Sequence, residues 1–300
     1  MKKNLTYLLG LLVLLAVATV LVMQKPGEQS REQSAGDPLV KYDSAAVDKL
    51  EIMSKDGTIT LLREGGKWML VAPVRYPADE LAVTTAVGKG RDLKITALVS
   101  TNPAKQNIYA VDSTATLVKV YANNNLVAQF RVGKPASSWT ETYVRREGSD
   151  EVYTVEGAVT HTFAKSANDW RDRYIFKADQ NSIAEVKFQF GDTTFVLARK
   201  DSLTWAIGTD STINANVTSF LSSLCSFQTD EFVDSTVSKL PKLTAVIEAQ
   251  GTQIRFFRRD DGKYYVQRST SPQLFVVQQW RAGQVLKRKK DFIPTPTKNV

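Results

Sequence analysis

Along residues 47–77 the chain alternates apolar and polar positions with a period of two. VDKLEIMS (47–54) is followed by a turn at Asp56-Gly57, TITLLR (58–63) by the EGGK turn, and WMLVAP (68–73) closes the run. Period two with Gly-bearing turns predicts three antiparallel strands. After Pro77 the period changes. ADELAVTTAVGKGRDLK spaces Leu81, Val83, Ala86, Val87 and Leu93 near the helical repeat, with Asp79 as N-cap or first-turn acid. ITALVS (95–100) then leaves as an extended segment.

The same succession returns about 136 residues later. IAEVKFQF, TFVLAR and TWAI read as three strands, Asn214 and Asn216 open the helical ANVTSFLSSLCSF, and TDEFVD leaves it. The parts that follow also correspond. TLVKVYANNNLVAQFRVG (116–133) matches LTAVIEAQGTQIRFFRR (243–259), and TYVRREGSDEVYTV (142–155) matches YYVQRSTSPQLFVV (264–277), each as two strands around a polar turn. HTFAKSANDWRDRYIF and WRAGQVLKRKKDF close the two stretches as short helices. The expected fold class is therefore α+β, with two tandem copies of a mostly antiparallel β-β-β-α-β-β-β-β-β-α unit at residues 41–180 and 181–294. Trp68 and Trp205 occupy matching places, each with Leu70 or Ile207 two residues on and facing the same side, so both are expected to anchor their unit's helix on its sheet. Trp170 is expected to be a third anchor.

The N-terminus adds a different pattern. Leu5 to Met23 carries no charge and follows Lys2 and Lys3. A bilayer core takes roughly 20 apolar helical residues, so 5–23 is expected to be a transmembrane helix, with residues 1–4 in the cytoplasm and the body periplasmic or otherwise extracytoplasmic. A cleaved signal peptide is the rival, because Ala16-Val17-Ala18 has the small-x-small form, but that site lies inside the apolar run. No cysteine stands near the end of the run, which excludes a bacterial lipoprotein. Residues 24–40 are mostly polar, with Gly, Pro and Ser, as in a flexible linker, and 295–300 are expected to be a disordered tail.

Composition narrows the chemistry. One histidine, His161, and one cysteine, Cys225, exclude an intrachain disulfide and a zinc site built on several Cys and His. Cys225, in FLSSLCSF, reads as a small buried hydrophobe. There is no Walker loop, no G-x-G-x-x-G and no G-x-S-x-G elbow, and the acid pairs Asp230-Glu231 and Asp260-Asp261 have the spacing of strand and turn neighbours. No cofactor and no catalytic set are expected. The candidate binding residues are Trp139, Tyr143, Arg145, Arg171, Arg173 and the run Lys287-Arg288-Lys289-Lys290. Residues 251–300 hold eleven Lys or Arg and three Asp or Glu, so the whole net charge of +8 belongs to that part. The run is expected to lie on a solvated helix face that meets anionic lipid or an acidic protein, and not nucleic acid. Asp169, Arg171, Asp172 and Arg173 surround Trp170 and Tyr174, and are expected to brace the end of the first unit or to form an anion or partner site.

Arg63, Trp68, Leu70, Pro73, Ala78 and Asp79, then Tyr109-Ala110-Val111-Asp112, Val132-Gly133, Tyr143-Val144-Arg145 and Trp170-Arg171-Asp172-Arg173, resemble in this order the bacterial family "domain of unknown function 4340". The chain departs from it at Ala110, where the family has a Y-G-L-D-like turn. The resemblance implies a membrane-anchored protein encoded beside ABC transporter permeases and extracytoplasmic subunits of gliding-motility-type systems, and no reaction. The expected function is a non-enzymatic accessory or scaffold subunit of a bacterial inner-membrane complex. The alternative is a cell-envelope module that binds a glycan or peptide in a cleft between the repeats.

Overall fold

The computed structural model describes residues 35–191 and 193–294. The apolar run 5–23, the N-terminal residues 1–4, linker residues 24–34 and the tail 295–300 lie outside them. Among the described residues no helix is long and apolar enough to cross a membrane. The described chain is mostly antiparallel sheet with a few helices, and it divides into two compact units between Arg171 and Asp172.

The first unit opens with four strands, β1 (Val47–Ser54), β2 (Gly57–Glu64), β3 (Lys67–Ala72) and β4 (Tyr76–Pro77). Helix α1 (Glu80–Arg91) follows, then β5 (Ile95–Ser100), β6 (Thr116–Ala122), β7 (Asn125–Pro135), β8 (Glu141–Arg146), β9 (Val152–Glu156) and the single turn α2 (Thr160–Phe163). All pairs are antiparallel, in the order β4-β3-β2-β1-β6-β7-β8-β9-β5. The helix thus carries the chain from one edge of the sheet to the other. Asp79 caps it by accepting from the Ala82 amide at 2.9 Å. Val83, Ala86, Val87 and Gly90 form its buried stripe, in one core with Leu50, Ile52, Leu61, Trp68, Leu70, Val118, Phe130 and Phe163. Leu81, expected on that stripe, is 75 % exposed. It lies two residues from Val83, which is about 200° around the helix and therefore on the opposite side.

Glycine at position 90 is a packing requirement. A Cβ there would stand 2.5 Å from the Tyr42 hydroxyl and 3.5 Å from the Phe130 ring. That hydroxyl donates to the Val87 carbonyl at 2.7 Å, closing the helix against the segment that leads into β1, and burial raises the phenol above its ordinary value.

The second unit begins with β10 (Tyr174–Lys177), β11 (Glu185–Phe190), β12 (Thr193–Arg199), β13 (Trp205–Ile207) and β14 (Asp210–Ser211). Helix α3 (Asn214–Leu224) leads to β15 (Ser226–Gln228), β16 (Glu231–Val233), β17 (Leu243–Ala249), β18 (Thr252–Arg258), β19 (Tyr264–Arg268), β20 (Leu274–Val277) and α4 (Gln279–Val285). Its main sheet runs β14-β13-β12-β11-β17-β18-β19-β20-β16, and β10 pairs with β15 in a separate ribbon. Counted from β1 and from β11, with the ribbon strand β15 left out, the two nine-strand orders are the same. Phe188 is the centre of this core, stacked on Phe195 at 4.5 Å and tilted against Phe220 and Phe292 at 5.3 and 5.8 Å.

The lead-in to each sheet is built alike. In unit one Leu39 donates to the Leu93 carbonyl, Ile95 donates to Asp37, and the Arg146 Nε donates to the Leu39 carbonyl at 2.7 Å with its guanidinium over the Tyr153 ring. In unit two the β10–β15 ribbon takes this place, and the Arg268 Nη1 donates to the Tyr174 carbonyl at 2.9 Å with its guanidinium over Phe275. Asp43 and Asp179 each accept the amide two residues on, at 2.9 Å, to start the short 3-10 turn before β1 or β11.

Three local expectations are corrected. The two-residue edge strands β4 and β14 precede the helices, where no alternation is long enough to read. Residues 161–176 are not one helix. Phe163 ends α2, Ser166 caps a separate 3-10 turn at Ala167–Trp170 with Asp169, and Tyr174-Ile175-Phe176 is strand. The basic run also lies beyond its helix, since α4 ends at Val285 and only Lys289–Asp291 form a 3-10 turn.

Two glycines on α1 separate packing from propensity. Gly88 has open space where a Cβ would go, so Gly88→Ala is expected to stabilise the protein by about 0.5–1 kcal/mol. Gly90→Ala, two residues on and on the opposite, buried side of the helix, is expected to destabilise it by about 1–3 kcal/mol, because Tyr42 must give up its hydrogen bond. Urea denaturation of both variants measures the pair.

Candidate functional site

The motif residues of unit one converge on the outer end of β7 and β8. Arg131 and Arg145 are cross-strand partners, both only 8 % exposed. Two guanidinium groups on one face of neighbouring strands repel each other unless an anion stands between them. Glu147, two residues beyond Arg145, supplies it. Its carboxylate takes the Arg131 Nε at 2.6 Å and Nη2 at 3.0 Å, and stands 3.6 Å from the Arg145 Nη2. The Arg131 hydrogen bond outweighs partial burial and holds the Glu147 carboxyl below its ordinary range.

The remaining donors of both arginines hold the loop before β6 and the β8–β9 turn. The Arg145 Nε donates to the Val111 carbonyl at 2.9 Å and its Nη1 to Ser149 at 2.7 Å. The Arg131 Nη1 donates to the Ser113 and Ala115 carbonyls at 3.0 and 3.3 Å. The loop follows a 3-10 turn at Pro103–Tyr109, where Ala110 takes the left-handed conformation at φ 54°. Gly133 lets β7 pass against it, because a Cβ there would collide with the Tyr109 carbonyl oxygen and stand 2.7 Å from the Val111 side chain. Tyr109 and Tyr143 pair above the loop with ring centres 4.8 Å apart, and Asp112 caps the next turn by accepting from Thr114. Tyr109 to Asp112, Gly133, Tyr143 and Arg145 are therefore one clamp. Sequence reasoning missed Arg131 and Glu147, although period two puts Glu147 on the face of Arg145 and Arg131 on the face of Gly133.

The other candidates are scattered. Trp139 stands in the β7–β8 turn at φ 59°, 78 % exposed. Arg171 is fully buried, its guanidinium 4.6 Å from the Tyr76 ring and its Nη1 donating to Asn168. Arg173 donates to the Thr229 and Asp230 carbonyls of unit two. Asp169 takes the Ser166 hydroxyl and Asp172 the Tyr174 amide. Lys287 and Lys290 stand at the surface of unit two, where Arg288 covers the Phe190 ring at 3.9 Å and Lys289 pairs with Asp210 at 2.7 Å. Trp68, Trp170 and Trp205 are buried. Cys225 is buried too, and burial pushes its thiol up. Among the described residues no group of three or more His, Cys, Asp or Glu is placed to hold a metal ion.

The Glu147 carboxyl ordinarily titrates near 4.5 and lies lower in the folded chain. Its contribution to stability is thus complete above that value and lost as pH falls through the folded one. Glu147→Gln is expected to cost about 1–3 kcal/mol at pH 7, with the gap to the natural chain closing as pH falls below the ordinary carboxyl value. Denaturation series at several pH values test it. Ala110→Gly is expected to stabilise by up to about 1 kcal/mol, since glycine enters the left-handed region without a Cβ penalty. The thermal midpoint reports that change.

No curated protein and no solved structure matches the chain. Residues 68–245, more than half of it, match the family described as a domain of unknown function, DUF4340, a span that holds the whole clamp and the motif residues from Trp68 to Arg173. The chain belongs to the DUF4340 family.

Proposed function

We propose that this protein is a non-enzymatic accessory or scaffold subunit of a bacterial inner-membrane complex, associated with an ABC transporter. It is held by residues 5–23 as a single-pass anchor, with the N-terminus inside and the body outside the cytoplasm. Its body consists of two tandem copies of one unit. The shared strand order, the matching lead-in arginines Arg146 and Arg268, and the matching turn acids Asp43 and Asp179 support the duplication. The anchor rests on the uncharged run after Lys2 and Lys3.

The observation that carries the scaffold reading is where the buried and half-buried arginines are spent. Arg131, Arg145, Arg146 and Arg173 all donate to main-chain carbonyls of their own unit. Groups engaged in this way order loops and are not free to bind and turn over a substrate. Such a fold presents shaped surfaces to partners.

The test is recovery of the full chain, tagged at its C-terminus, from gently solubilised membranes. A permease and its ATPase are expected in stoichiometric amounts. Recovery of the protein alone, or with bound glycan, would overturn the reading.

A further inference from the structure

The clamp of unit one has a counterpart in unit two that lacks its anion. Arg131 pairs across β7–β8 with Arg145, and Arg255 pairs across β18–β19 with Gln267. One position along, Phe130 faces Arg146 and Ile254 faces Arg268, the two lead-in arginines. Main-chain bonds fix the same correspondence. Glu147 donates its amide to the Gln129 carbonyl, two residues before Arg131, and Ser269 donates its amide to the Gln253 carbonyl, two residues before Arg255. Ser269 thus stands where Glu147 stands in unit one.

The place is open in unit two. A cavity of about 450 Å³ is lined by Arg255, Gln267, Arg268, Ser269, Thr270 and Ser271, two cations with amide and hydroxyl groups and no acid. Arg255 is exposed, and its Nη2 donates to the Gln253 Oε1 at 3.1 Å. The Arg268 Nη1 is spent on the Tyr174 carbonyl, while its Nε is buried with no hydrogen-bond partner among the described residues. The nearby Glu248 is spent on Gln253 and Lys187. In unit one a carboxylate built into the chain satisfies the equivalent strand pair.

We propose that this cavity of unit two binds a carboxylate from outside, on Arg255 with Gln267 and the hydroxyls of Ser269 to Ser271, where unit one uses its own Glu147. A guanidinium fork beside amide and hydroxyl donors fits two carboxylate oxygens. The carboxylate comes from a small acid or from a Glu or Asp side chain of a partner. The inference is independent of which complex the protein joins.

The test titrates the full chain in detergent, at low salt, with N-acetylglutamate α-amide and with a short neutral peptide carrying one glutamate. Saturable binding of at least one probe is expected. Arg255→Ala weakens it about tenfold, and Arg258→Ala, elsewhere on the same strand, leaves it unchanged. Ser269→Glu installs the missing carboxylate, so it is expected to abolish probe binding and raise the thermal midpoint. Binding of the peptide alone assigns the site to a partner chain, and equal binding of both assigns it to a small acid. No saturable binding, or binding that survives both Arg255→Ala and Ser269→Glu, would overturn the proposal.

Discussion

Two guanidinium groups on adjacent strands, Arg131 and Arg145, can be buried together only with an anion between them and acceptors for their other donors. Glu147 satisfies the first requirement, and the carbonyls of Val111, Ser113, Ala115 and Ser149 satisfy the second. The path of the chain between β5 and β6 follows from this. To bring Val111 within reach of Arg145, the chain turns through the left-handed Ala110, and β7 must be glycine at 133 where the loop crosses it. A buried charge left without its partner is costly, so the cluster holds as a set and not residue by residue.

The main sheets of the two units share a strand order and pack different interiors. Unit one closes α1 on the sheet through Tyr42, Phe130, Phe163 and Gly90, a fit of large rings against the one position of the buried stripe that has no side chain. Unit two fills the comparable space with phenylalanines, and Phe292 returns from beyond α4 to complete it, its carbonyl accepting the Ile213 amide at 2.7 Å. Arginine is the recurring fastener in both. Its planar fork can hold a carbonyl while the stem and guanidinium face cover an aromatic ring, as Arg146 does on Tyr153 and Arg199 on Trp205.

Much of this was legible in period and turn residues. The hairpins of β1 to β3 and β11 to β13, the capped helix after Asp79 and the buried tryptophans follow from local pattern. What was not legible depends on distant partners. Arg131 and Glu147 are sixteen residues apart and meet only through the β7–β8 register. Arg145 and Tyr143 stood out as binding candidates within the Tyr143-Val144-Arg145 motif, and only the fold shows the Val111 carbonyl and the Tyr109 ring waiting for them. The stretch 161–176 misleads because one helical turn, a capped 3-10 turn and a short strand succeed each other faster than either period can establish itself. Lys287 to Lys290 mislead in the opposite sense, since a charge run carries no period at all, and the chain there is fixed by Arg288 on Phe190 and by Asp291 receiving the Arg288 amide.

The central claim is that the family's polar motif in unit one is a loop clamp. Hydrogen exchange of the full chain carrying Arg145→Met tests it directly. The account predicts that amides of the Val111 to Ala115 loop lose protection while those of β1, β2 and α1 keep theirs. Unchanged protection in that loop would contradict it, and would return Arg145 to the residues free to bind a partner.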